Sequence, residues 1–499
     1  MSKGKGFLIL VLAFMILSTL TAVSADNHAD EIINTTGSDE TGIAQTTQNN
    51  DILTKKDKGS FAALQNKINE AGEGATVTLE NDYFFDEATD DSEGITVSKT
   101  ITINGNGHAI DGLSKSRLLT ATSQVTLKNI IFKNGYSTVK SPVYIENAAN
   151  TTISHCTFTN NHLEKSGGYG GALTLYGGET QTIDSCTFAS NSATRFGGAV
   201  CIVYIDQIRI GSCTFTDNAA ENGGSIFAEK SCVELSVSRF KNESGKYGGA
   251  IEFGDGSKNS LVTCSSFENC NVSASGGAIY VGYTDVKVSW CNFTNCQANY
   301  GGAVMFDSSS ENSSVERSRF SRCIANTNGG ALDFLSSGGA VDGCVFDECC
   351  ASRDGGAILI ESTADNFALQ NSSFNSCQGK YGGAVLLSSR GCLINDSTFK
   401  GCLADASGGA IYFGGKDFRV LDSRFDGCGA DWGGAIYLAN NSADAVVNAS
   451  ALYNCSAVNE GGAVSMKSSG GYLSHSNFTS CRADDGGAVY WNSADGHLS

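Results

Sequence analysis

Nine cysteines recur along the second half of the chain at intervals of 25 to 28 residues. Regularly spaced thiols could form disulfides, bind a soft metal ion, or pack as small buried side chains. The nine are Cys270, Cys296, Cys323, Cys349, Cys377, Cys402, Cys428, Cys455 and Cys481. Because the chain has no Cys-x-x-Cys pair and only 6 histidines, the pattern argues against a metal site.

A second regular set lies four positions after the first glycine of recurring Gly-Gly pairs. Its members, here called the stripe, are Phe227, Tyr280, Met305, Leu359, Leu386, Tyr412, Tyr437 and Tyr490, with Glu252, Asp333 and Ser465 as interruptions. Positions three and five after the glycine are apolar, so strand alternation points the fourth position outward. We expect an exposed sticky surface for glycans or partner chains. Strand propensity alone is the alternative explanation.

Catalysis on a repetitive scaffold would need two or three carboxylates on adjacent repeats of one face. In the position after the recurring phenylalanine, no two acids are neighbours, and Lys241–Glu268 and Lys400–Asp426 form opposite-charge pairs instead. Glu252 and Asp333 each stand between apolar neighbours in the stripe. The sequence therefore predicts no catalytic residue, no metal and no cofactor.

The element that must position all these residues is a repeat. Thirteen copies of the phrase Gly-Gly-small-aliphatic-x-apolar begin 25 to 28 residues apart, at Gly170, Gly197, Gly223, Gly248, Gly276, Gly301, Gly329, Gly355, Gly382, Gly408, Gly433, Gly461 and Gly486. Between copies, short segments alternate apolar and polar residues, with turns between them and no helical periodicity. This period predicts an all-β fold, a right-handed parallel β-helix with about 26 residues and three short strands per turn.

One slot of each repeat holds a large apolar residue that can stack on its counterpart in the next turn. The predicted buried column is Phe158, Phe188, Phe215, Phe240, Phe267, Phe293, Phe320, Phe346, Phe374, Phe399, Phe425, Leu452 and Phe478. A single leucine among twelve phenylalanines indicates that volume decides the choice.

The nine regular cysteines lie three residues after this column, in a slot that early repeats fill with Asn161, Asn191 and Asn218. Parallel stacking separates neighbouring Cβ atoms by about 4.8 Å, whereas a disulfide prefers about 3.5–4.5 Å. A reduced internal ladder is therefore favoured over scattered disulfides or metal binding. Five further cysteines, two positions before the column, are predicted to pack inward: Cys156, Cys186, Cys213, Cys291 and Cys344.

The N-terminal part of the chain has a different composition. Residues 1–25 read as a signal peptide, with Lys3 and Lys5, an apolar run, and a small-residue cleavage site ending at Ala25. Residues 26–59 are polar and are expected to be flexible. Residues 60–154 are predicted to hold a capping helix and the first β-helix turns, and residues 155–499 the regular repeats.

Charge and composition limit the possible partners. The formal net charge is −19 and no basic patch stands out, so nucleic acid is an unsuitable partner. No second transmembrane segment follows the first apolar run, so a membrane would be reached only through a missing or separate anchor. We expect a secreted or cell-surface protein.

Two sequence features resemble known surface proteins. Gly-Gly-Ala-Ile together with Phe-x-x-Asn, as at residues 158–161 and 188–191, resembles the repeats of the polymorphic outer-membrane protein family, which have the pectin lyase-like superfold. Residues 101–112, Ile-Thr-Ile-Asn-Gly-Asn-Gly-His-Ala-Ile-Asp-Gly, are similar to adhesin-like surface proteins of methanogenic archaea. The resemblance covers roughly residue 60 onward. It implies a surface-displayed, non-enzymatic adhesin.

Two departures from this resemblance bear on function. The Asn slot becomes Cys from Phe267 on, and the transporter barrel of the polymorphic family is absent. The chain stops just after a fresh Gly-Gly turn, so it is expected to be incomplete or to end in an uncapped solenoid. The predicted function is attachment to surface glycans or proteins of other cells. The alternatives are a polysaccharide lyase or glycoside hydrolase, and a purely structural envelope protein.

Overall fold

A computed structural model describes residues 58–440, 442–467, 469–492 and 496–499. The predicted signal peptide and nearly all of the polar segment at 26–59 lie outside the described residues. The described part contains one α-helix, of 10 residues, which is neither long enough nor apolar enough to cross a membrane.

Each regular turn contains four short strands, one more than the sequence predicted. In the turn that begins at Gly276, the first strand is Ile279–Val281, the second is Lys287–Ser289, the third is Asn292–Thr294 and the fourth is Gln297–Tyr300. Each strand pairs in parallel with the same strand of the next turn. The third strands alone form a 17-stranded parallel sheet. The predicted right-handed parallel β-helix is thereby confirmed.

The strand bounds follow this fourfold division. The first strands are Ile95–Val97, Leu119–Ala121, Val143–Glu146, Leu173–Asp184, Val200–Gly211, Ile226–Glu229, Ile251–Phe253, Ile279–Val281, Val304–Phe306, Leu332–Phe334, Ile358–Ile360, Val385–Leu387, Ile411–Phe413, Ile436–Leu438, Val464–Met466 and Val489–Trp491. The second strands are Thr76–Thr78, Ile101–Asn104, Val125–Lys128, Thr152–Ser154, Val233–Ser236, Leu261–Thr263, Lys287–Ser289, Ser314–Glu316, Ala340–Asp342, Ala368–Gln370, Leu393–Asn395, Arg419–Leu421, Val446–Asn448, Tyr472–Ser474 and His497–Leu498. Leu173–Asp184 and Val200–Gly211 continue without a break through the position of the second strand, so these two turns have no separate second strand.

The remaining strands complete each turn. The third strands are Lys58–Ser60, Asp82–Phe84, Ala109–Asp111, Ile131–Lys133, Thr157–Thr159, Thr187–Ala189, Thr214–Thr216, Arg239–Lys241, Ser266–Glu268, Asn292–Thr294, Arg319–Ser321, Val345–Asp347, Ser373–Asn375, Thr398–Lys400, Arg424–Asp426, Ala451–Tyr453 and Asn477–Thr479. The fourth strands are Tyr136–Ser137, His162–Leu163, Ser192–Ala193, Ser244–Tyr247, Asn271–Ser275, Gln297–Tyr300, Ile324–Asn328, Cys350–Ala351, Gln378–Tyr381, Leu403–Ser407, Gly429–Trp432 and Ser456–Glu460.

The predicted phenylalanine column forms the spine of the core. From Phe158 to Phe425, ring centroids of successive turns are 4.6–4.9 Å apart and the rings are nearly parallel. The column begins one turn earlier than predicted, because Phe132 stacks on Phe158 at 5.0 Å. Phe478 in the last third strand is only partly buried, since fewer described residues cover it.

The Gly-Gly pair has two separate structural roles. In the pair at residues 329 and 330, Gly329 has φ +63°, a backbone conformation that residues other than glycine rarely adopt. At Gly330 the constraint is space, since a Cβ would overlap the carbonyl oxygen of Gly356 in the next turn. A positive-φ corner therefore accounts for the first glycine, and close packing between turns accounts for the second.

A short helix covers the N-terminal end of the solenoid. The predicted capping helix is Phe61–Glu70, and it buries Phe61, Leu64 and Ile68, which are spaced as one face of a helix. Ser60 caps its N-terminus, accepting a hydrogen bond from the Ala63 backbone N–H at 3.2 Å. Gln65 exchanges two hydrogen bonds of 2.7 and 3.0 Å with the Thr96 backbone. The helix therefore satisfies part of the open edge of the earliest first strand, as a solenoid cap should.

Candidate functional site: the face beside the Gly-Gly turn

The predicted exposed stripe is largely covered, and this prediction is corrected. Phe227, Met305, Leu359 and Leu386 are buried, and Tyr280, Tyr412, Tyr437 and Tyr490 are only partly exposed. Alternation does turn the stripe away from the core of the solenoid. A second column of side chains, however, lies against it and removes most of its contact with solvent.

This second column, here called the flanking column, consists of the residue directly before each Gly-Gly pair. Its members are Tyr169, Phe196, Asn222, Tyr247, Ser275, Tyr300, Asn328, Asp354, Tyr381, Ser407, Trp432, Glu460 and Asp485. They are β-bridge partners from one turn to the next along the whole series. The sharp glycine corner folds this column back beside the stripe. The two columns together are called the glycine face below.

Ring contacts define how the two columns fit together. Phe196 lies 4.5 Å from Phe227 of the next turn, measured between ring centroids. The same offset brings Tyr381 to 5.6 Å from Tyr412 in an edge-to-face arrangement. Within the stripe, Tyr412 and Tyr437 stack at 5.4 Å. In these pairs the flanking ring covers the stripe residue of the following turn.

Solvent reaches the glycine face mainly through the flanking column. Tyr300 is 41% exposed and Tyr169 is 37% exposed, whereas Tyr247, Tyr381 and Trp432 are half-buried. The sequence does contain a signal for this column, since six of the thirteen residues before a Gly-Gly pair are aromatic. The accessible aromatic surface is thus offered by the flanking column, with the stripe beneath it.

The glycine face widens into a pocket at its N-terminal end. Tyr144, Tyr169 and Tyr176 line a cavity of about 340 Å³ together with two lysines. Lys140 places its Nζ 4.1 Å from the centre of the Tyr144 ring and 3.3 Å from Glu146. Tyr144 is in register with Thr174, the stripe position of the first Gly-Gly turn, so this pocket continues the same face. Rings and charged groups around one cavity are typical of sites for polar ligands.

Two acids are buried in the glycine face. Burial raises the pKa of Glu252 to about 8. Burial, with the nearby carboxylates Glu361 and Asp354, raises the pKa of Asp333 well above its usual range. Asp333, Asp354 and Glu361 stand in different columns, so a comparison of acids within one column does not reveal that Asp354 and Glu361 act on Asp333.

The regular cysteines lie inside the solenoid. Eight of the nine are buried, Cys481 in the last turn is partly buried, and all nineteen cysteines of the chain are free in the structure. Six of these nine thiols donate to the backbone carbonyl of the phenylalanine one turn earlier, as Cys349 does to Phe320 at 3.6 Å. Burial raises the pKa of Cys323 well above its ordinary value. A buried neutral thiol such as Cys323 is chemically inert and serves packing.

The asparagine slots of the early turns make the same contact. Asn191 Nδ2 donates to the Phe158 carbonyl at 2.9 Å and to Asn218 Oδ1 at 3.0 Å. This explains why a thiol can replace the amide, since both donate to the carbonyl of the preceding turn. The amide also donates to the amide oxygen of its neighbour along the stack.

One member of this column was missed in the sequence. Glu243, three residues after Phe240, lies between the asparagine and cysteine ladders and is fully buried. Its carboxyl accepts hydrogen bonds from Ser225 Oγ at 2.6 Å and from the Asn218 backbone N–H at 3.0 Å. Burial nevertheless raises its pKa to about 8. A carboxyl with this pKa is mostly protonated at neutral pH.

The second cysteine group has a role beyond the predicted packing. The backbone N–H of Cys156 donates to Cys186 Sγ at 3.4 Å, and Cys213 donates to Ser238 Oγ at 3.2 Å. Later turns continue the ladder with serine at most of these positions, as in the 3.3 Å bond from Ser397 N–H to Ser423 Oγ. The sulfur and oxygen atoms of this column therefore accept a hydrogen bond from the backbone N–H at the same position of the preceding turn, between its second and third strands.

No arrangement of three His, Cys, Asp or Glu side chains suited to a metal ion occurs within the described ranges. The chemically distinctive surface is therefore the glycine face, with its rings, its buried acids and its terminal pocket.

The family of the chain follows from its sequence match. The right-handed β-helix region family matches residues 88–266 and 245–399, which together span more than half of the chain. The protein belongs to this family of right-handed β-helix proteins. No curated protein matches the sequence.

Solved structures with a similar fold are distant in sequence. A mannuronic acid-specific polysaccharide family 6 lyase from human gut microbiota is 10% identical, with a TM-score of 0.44 over 79% of this chain and 86% of that one. The tailspike protein of E. coli bacteriophage HK620, solved with a pentasaccharide, is 11% identical, with a TM-score of 0.42 over 91% and 84%. The likeness concerns the fold, and no activity is transferred from it.

Proposed function

We propose that this protein is a secreted or cell-surface adhesin-like β-helix that binds glycans along its glycine face without catalysing a reaction on them. The observation that carries the proposal is the row of aromatic side chains in the flanking column, seated on the covered stripe. The signal-like sequence at residues 1–25 supports export. The partners are surface glycans, or glycosylated proteins, of other cells.

Carbohydrate fits this surface for physical reasons. Tyrosine and tryptophan offer an apolar ring face and a polar edge, which suits the apolar faces and hydroxyl rims of sugar rings. The stripe beneath fixes the flanking rings, so little side-chain entropy is lost on binding. A polymeric ligand could contact several turns at once, which multiplies weak single contacts.

The terminal pocket supports the same function. Its volume of about 340 Å³ lies within the range of small-molecule sites, and three tyrosine rings line it. Lys140 and Lys165 at its edge supply hydrogen-bond donors. One end of a bound chain would rest there while the remainder follows the flanking column.

An enzymatic function is the second candidate, and one observation favours it. Asp354 and Glu361 lie close enough to Asp333 to raise its pKa, and glycoside-cleaving enzymes use a pair of carboxyl groups that flank the bond they cleave. The functions are separated by incubating the protein with each glycan that binds and measuring new reducing or unsaturated ends. Turnover that is lost in Asp333→Asn would establish the enzyme.

The proposed function predicts a specific loss of binding. The chain without residues 1–25 is screened on a glycan array, and ligands are then titrated by calorimetry. Replacing Tyr300 and Tyr381 by serine should weaken binding by about tenfold or more, which is about 1.4 kcal/mol, because interface rings contribute strongly to binding. The thermal midpoint should change little for the exposed Tyr300.

The matched control is Tyr472→Ser. Tyr472 lies on a second strand, away from the glycine face, and is 47% exposed, close to the value for Tyr300. This variant should bind as the unchanged protein does. Equal losses in both variants, or binding unaffected by the flanking pair, would place the binding surface elsewhere.

A further inference from the structure

The terminal pocket of the glycine face is surrounded by more cations than acids. Lys140 and Lys165 line its cavity of about 340 Å³, and Glu146 is the acid among the lining residues. Arg195 reaches the rim, because a Cβ added at the lining residue Gly167 would lie 3.9 Å from its Nη1 atom. Three cations and one acid therefore meet at one cavity, in a chain whose formal net charge is −19.

Two of these cations have no acid partner. The Lys165 Nζ atom donates to the Val139 backbone carbonyl at 3.0 Å, and this neutral acceptor leaves the ammonium charge uncompensated. Arg195 lies over the Phe196 ring, with its Cζ atom 4.7 Å from the ring centre. Neither cation forms an ion pair within the described residues. Both side chains are exposed, so a ligand in the pocket can reach them.

The acids near the pocket are already engaged. Glu146 lies 3.3 Å from the Lys140 Nζ atom, and Glu229 lies 3.5 Å from the Lys230 Nζ atom. Glu164 accepts a hydrogen bond of 2.7 Å from a tyrosine hydroxyl of the preceding turn. Each of these acids has its own partner, so the charge of the two unpaired cations remains available to a ligand.

Tyrosine hydroxyl groups add neutral donors to the pocket. Burial, together with the nearby carboxylate of Glu146, raises the pKa of Tyr144 to about 12. Burial also raises the pKa of Tyr169 above its ordinary value. Both hydroxyl groups therefore stay protonated at neutral pH. Within the described residues neither of them, nor the hydroxyl of Tyr176, makes a hydrogen bond, so all three can donate to a ligand.

Farther along the glycine face the balance of charge is different. Lys246 lies 3.4 Å from Glu221, and Lys467 lies 2.8 Å from Glu460. The flanking column itself adds Asp354 and contains no lysine or arginine. A negatively charged group on a ligand is therefore accommodated better at the terminal pocket than along the flanking column.

The chemistry of the group that fits the pocket follows from these atoms. An ammonium, a guanidinium and phenol hydroxyls are all donors, and two of them carry a positive charge, so they favour an anion with several acceptor oxygens. A carboxylate and a sulfate both meet this condition. The tyrosine rings suit the apolar face of the sugar ring that carries the anion. The cavity is at the lower end of the range of ligand sites, which suits a terminal unit.

We propose that the terminal pocket binds an acidic sugar, one that carries a carboxylate or a sulfate group, at the end of a glycan chain. This inference rests on the proposed glycan binding and names the unit that the pocket selects. Lys165 and Arg195 contact the anionic group, and Tyr144 and Tyr169 contact the sugar ring. The neutral remainder of the chain follows the flanking column, so the pocket fixes the direction in which the glycan lies.

The experiment compares ligands that differ only in their terminal unit. The chain without residues 1–25 is titrated by calorimetry with a glucose tetrasaccharide, and with the same tetrasaccharide bearing a carboxylate or a sulfate at the terminal C6 position. Each acidic ligand should bind about tenfold more tightly than the neutral one, or better, because it gains charge-assisted hydrogen bonds. The preference should shrink in about 0.5 M sodium chloride, since exposed charges are screened. Equal affinity for all three ligands would overturn the inference.

Variants test whether the two unpaired cations are responsible. Lys165→Gln/Arg195→Gln should bind the acidic ligands no more tightly than the neutral one, and Lys140 is left unchanged because it has an acid partner. The control Arg239→Gln/Lys400→Gln makes the same change in net charge at exposed third-strand positions, on a different sheet, and should keep the preference. Circular dichroism checks that both variants fold. A preference that survives in the first variant would contradict the assignment.

Three further outcomes separate the pocket from the proposed function. If inorganic sulfate binds as tightly as the sulfated tetrasaccharide, the pocket recognises an anion alone and the assignment to a sugar is wrong. If the acidic ligands are preferred but replacing Tyr300 and Tyr381 changes no affinity, the pocket inference stands and the flanking column is not the binding surface. If no glycan on the array and none of the three tetrasaccharides binds at millimolar concentration, both fail.

Discussion

Gly330→Ala is expected to destabilise the solenoid by about 3 kcal/mol or more, because the new methyl group cannot fit between two turns. The Cβ would overlap the Gly356 carbonyl oxygen, which is backbone and cannot move aside without separating the turns. Gly→Ala at a tolerant site is neutral or slightly stabilising. The measurement is the denaturation midpoint, with hydrogen exchange to locate the affected turns.

Two alanine controls share the chemistry but lack the clash. At Gly487 in the last described turn, an added Cβ meets only the Cys481 carbonyl oxygen at 3.8 Å. At Gly211, which ends a strand in a turn far from either end of the solenoid, an added Cβ meets only side-chain atoms, the nearest being Asp184 Oδ1 at 3.3 Å. Both variants should stay within about 1 kcal/mol of the unchanged protein. If Gly330→Ala behaves like them, turn spacing is not what the second glycine maintains.

Glu243→Gln is expected to stabilise the protein strongly at alkaline pH and little at acidic pH. The Glu243 pKa is about 8 in the folded protein, against an ordinary value of 4.5. Between these values the folded state holds a proton that the unfolded state has released, so stability falls as pH rises through this window. This shift in pKa corresponds to a loss of about 4–5 kcal/mol in the free energy of unfolding. Glutamine does not ionise, so the variant does not suffer this loss.

The measurement is the free energy of unfolding from pH 4.5 to 9. Glu252 and Asp333 also have raised pKa values, so the unchanged protein should lose stability through all three groups. Glu243→Gln should remove only the part of the pH dependence that Glu243 causes. Glu348→Gln, at an exposed position, should leave the dependence of the unfolding free energy on pH unchanged. Identical profiles for Glu243→Gln and the unchanged protein would show that this carboxyl titrates normally.

Periodicity made the solenoid predictable from the sequence. Thirteen copies of one phrase define the turn length, and a repeating large side chain such as Phe293 has to stack on its neighbour one turn away. The capping helix was predictable for a similar reason, since Phe61, Leu64 and Ile68 share one helical face. These features depend on spacing along the chain, which the sequence displays directly.

The glycine face was less predictable because it depends on how two columns meet. Alternation correctly turned Tyr280 away from the core, but it contains no information about Tyr247, which the glycine corner brings alongside from the previous turn. Glu243 was missed because the slot holds asparagine before it and cysteine after it. A single exception to a repeat is easily overlooked, although here the exception is the buried carboxyl group on which the pH dependence of stability is predicted to depend.

The most direct test of the central claim is the position of a bound glycan. Crystals of the protein with the tightest ligand from the array should show sugar rings against Tyr300 and Tyr381, extending along the flanking column. Sugar bound only in the turns between the second and third strands, or at the ends of the solenoid, would contradict the assignment of function to the glycine face.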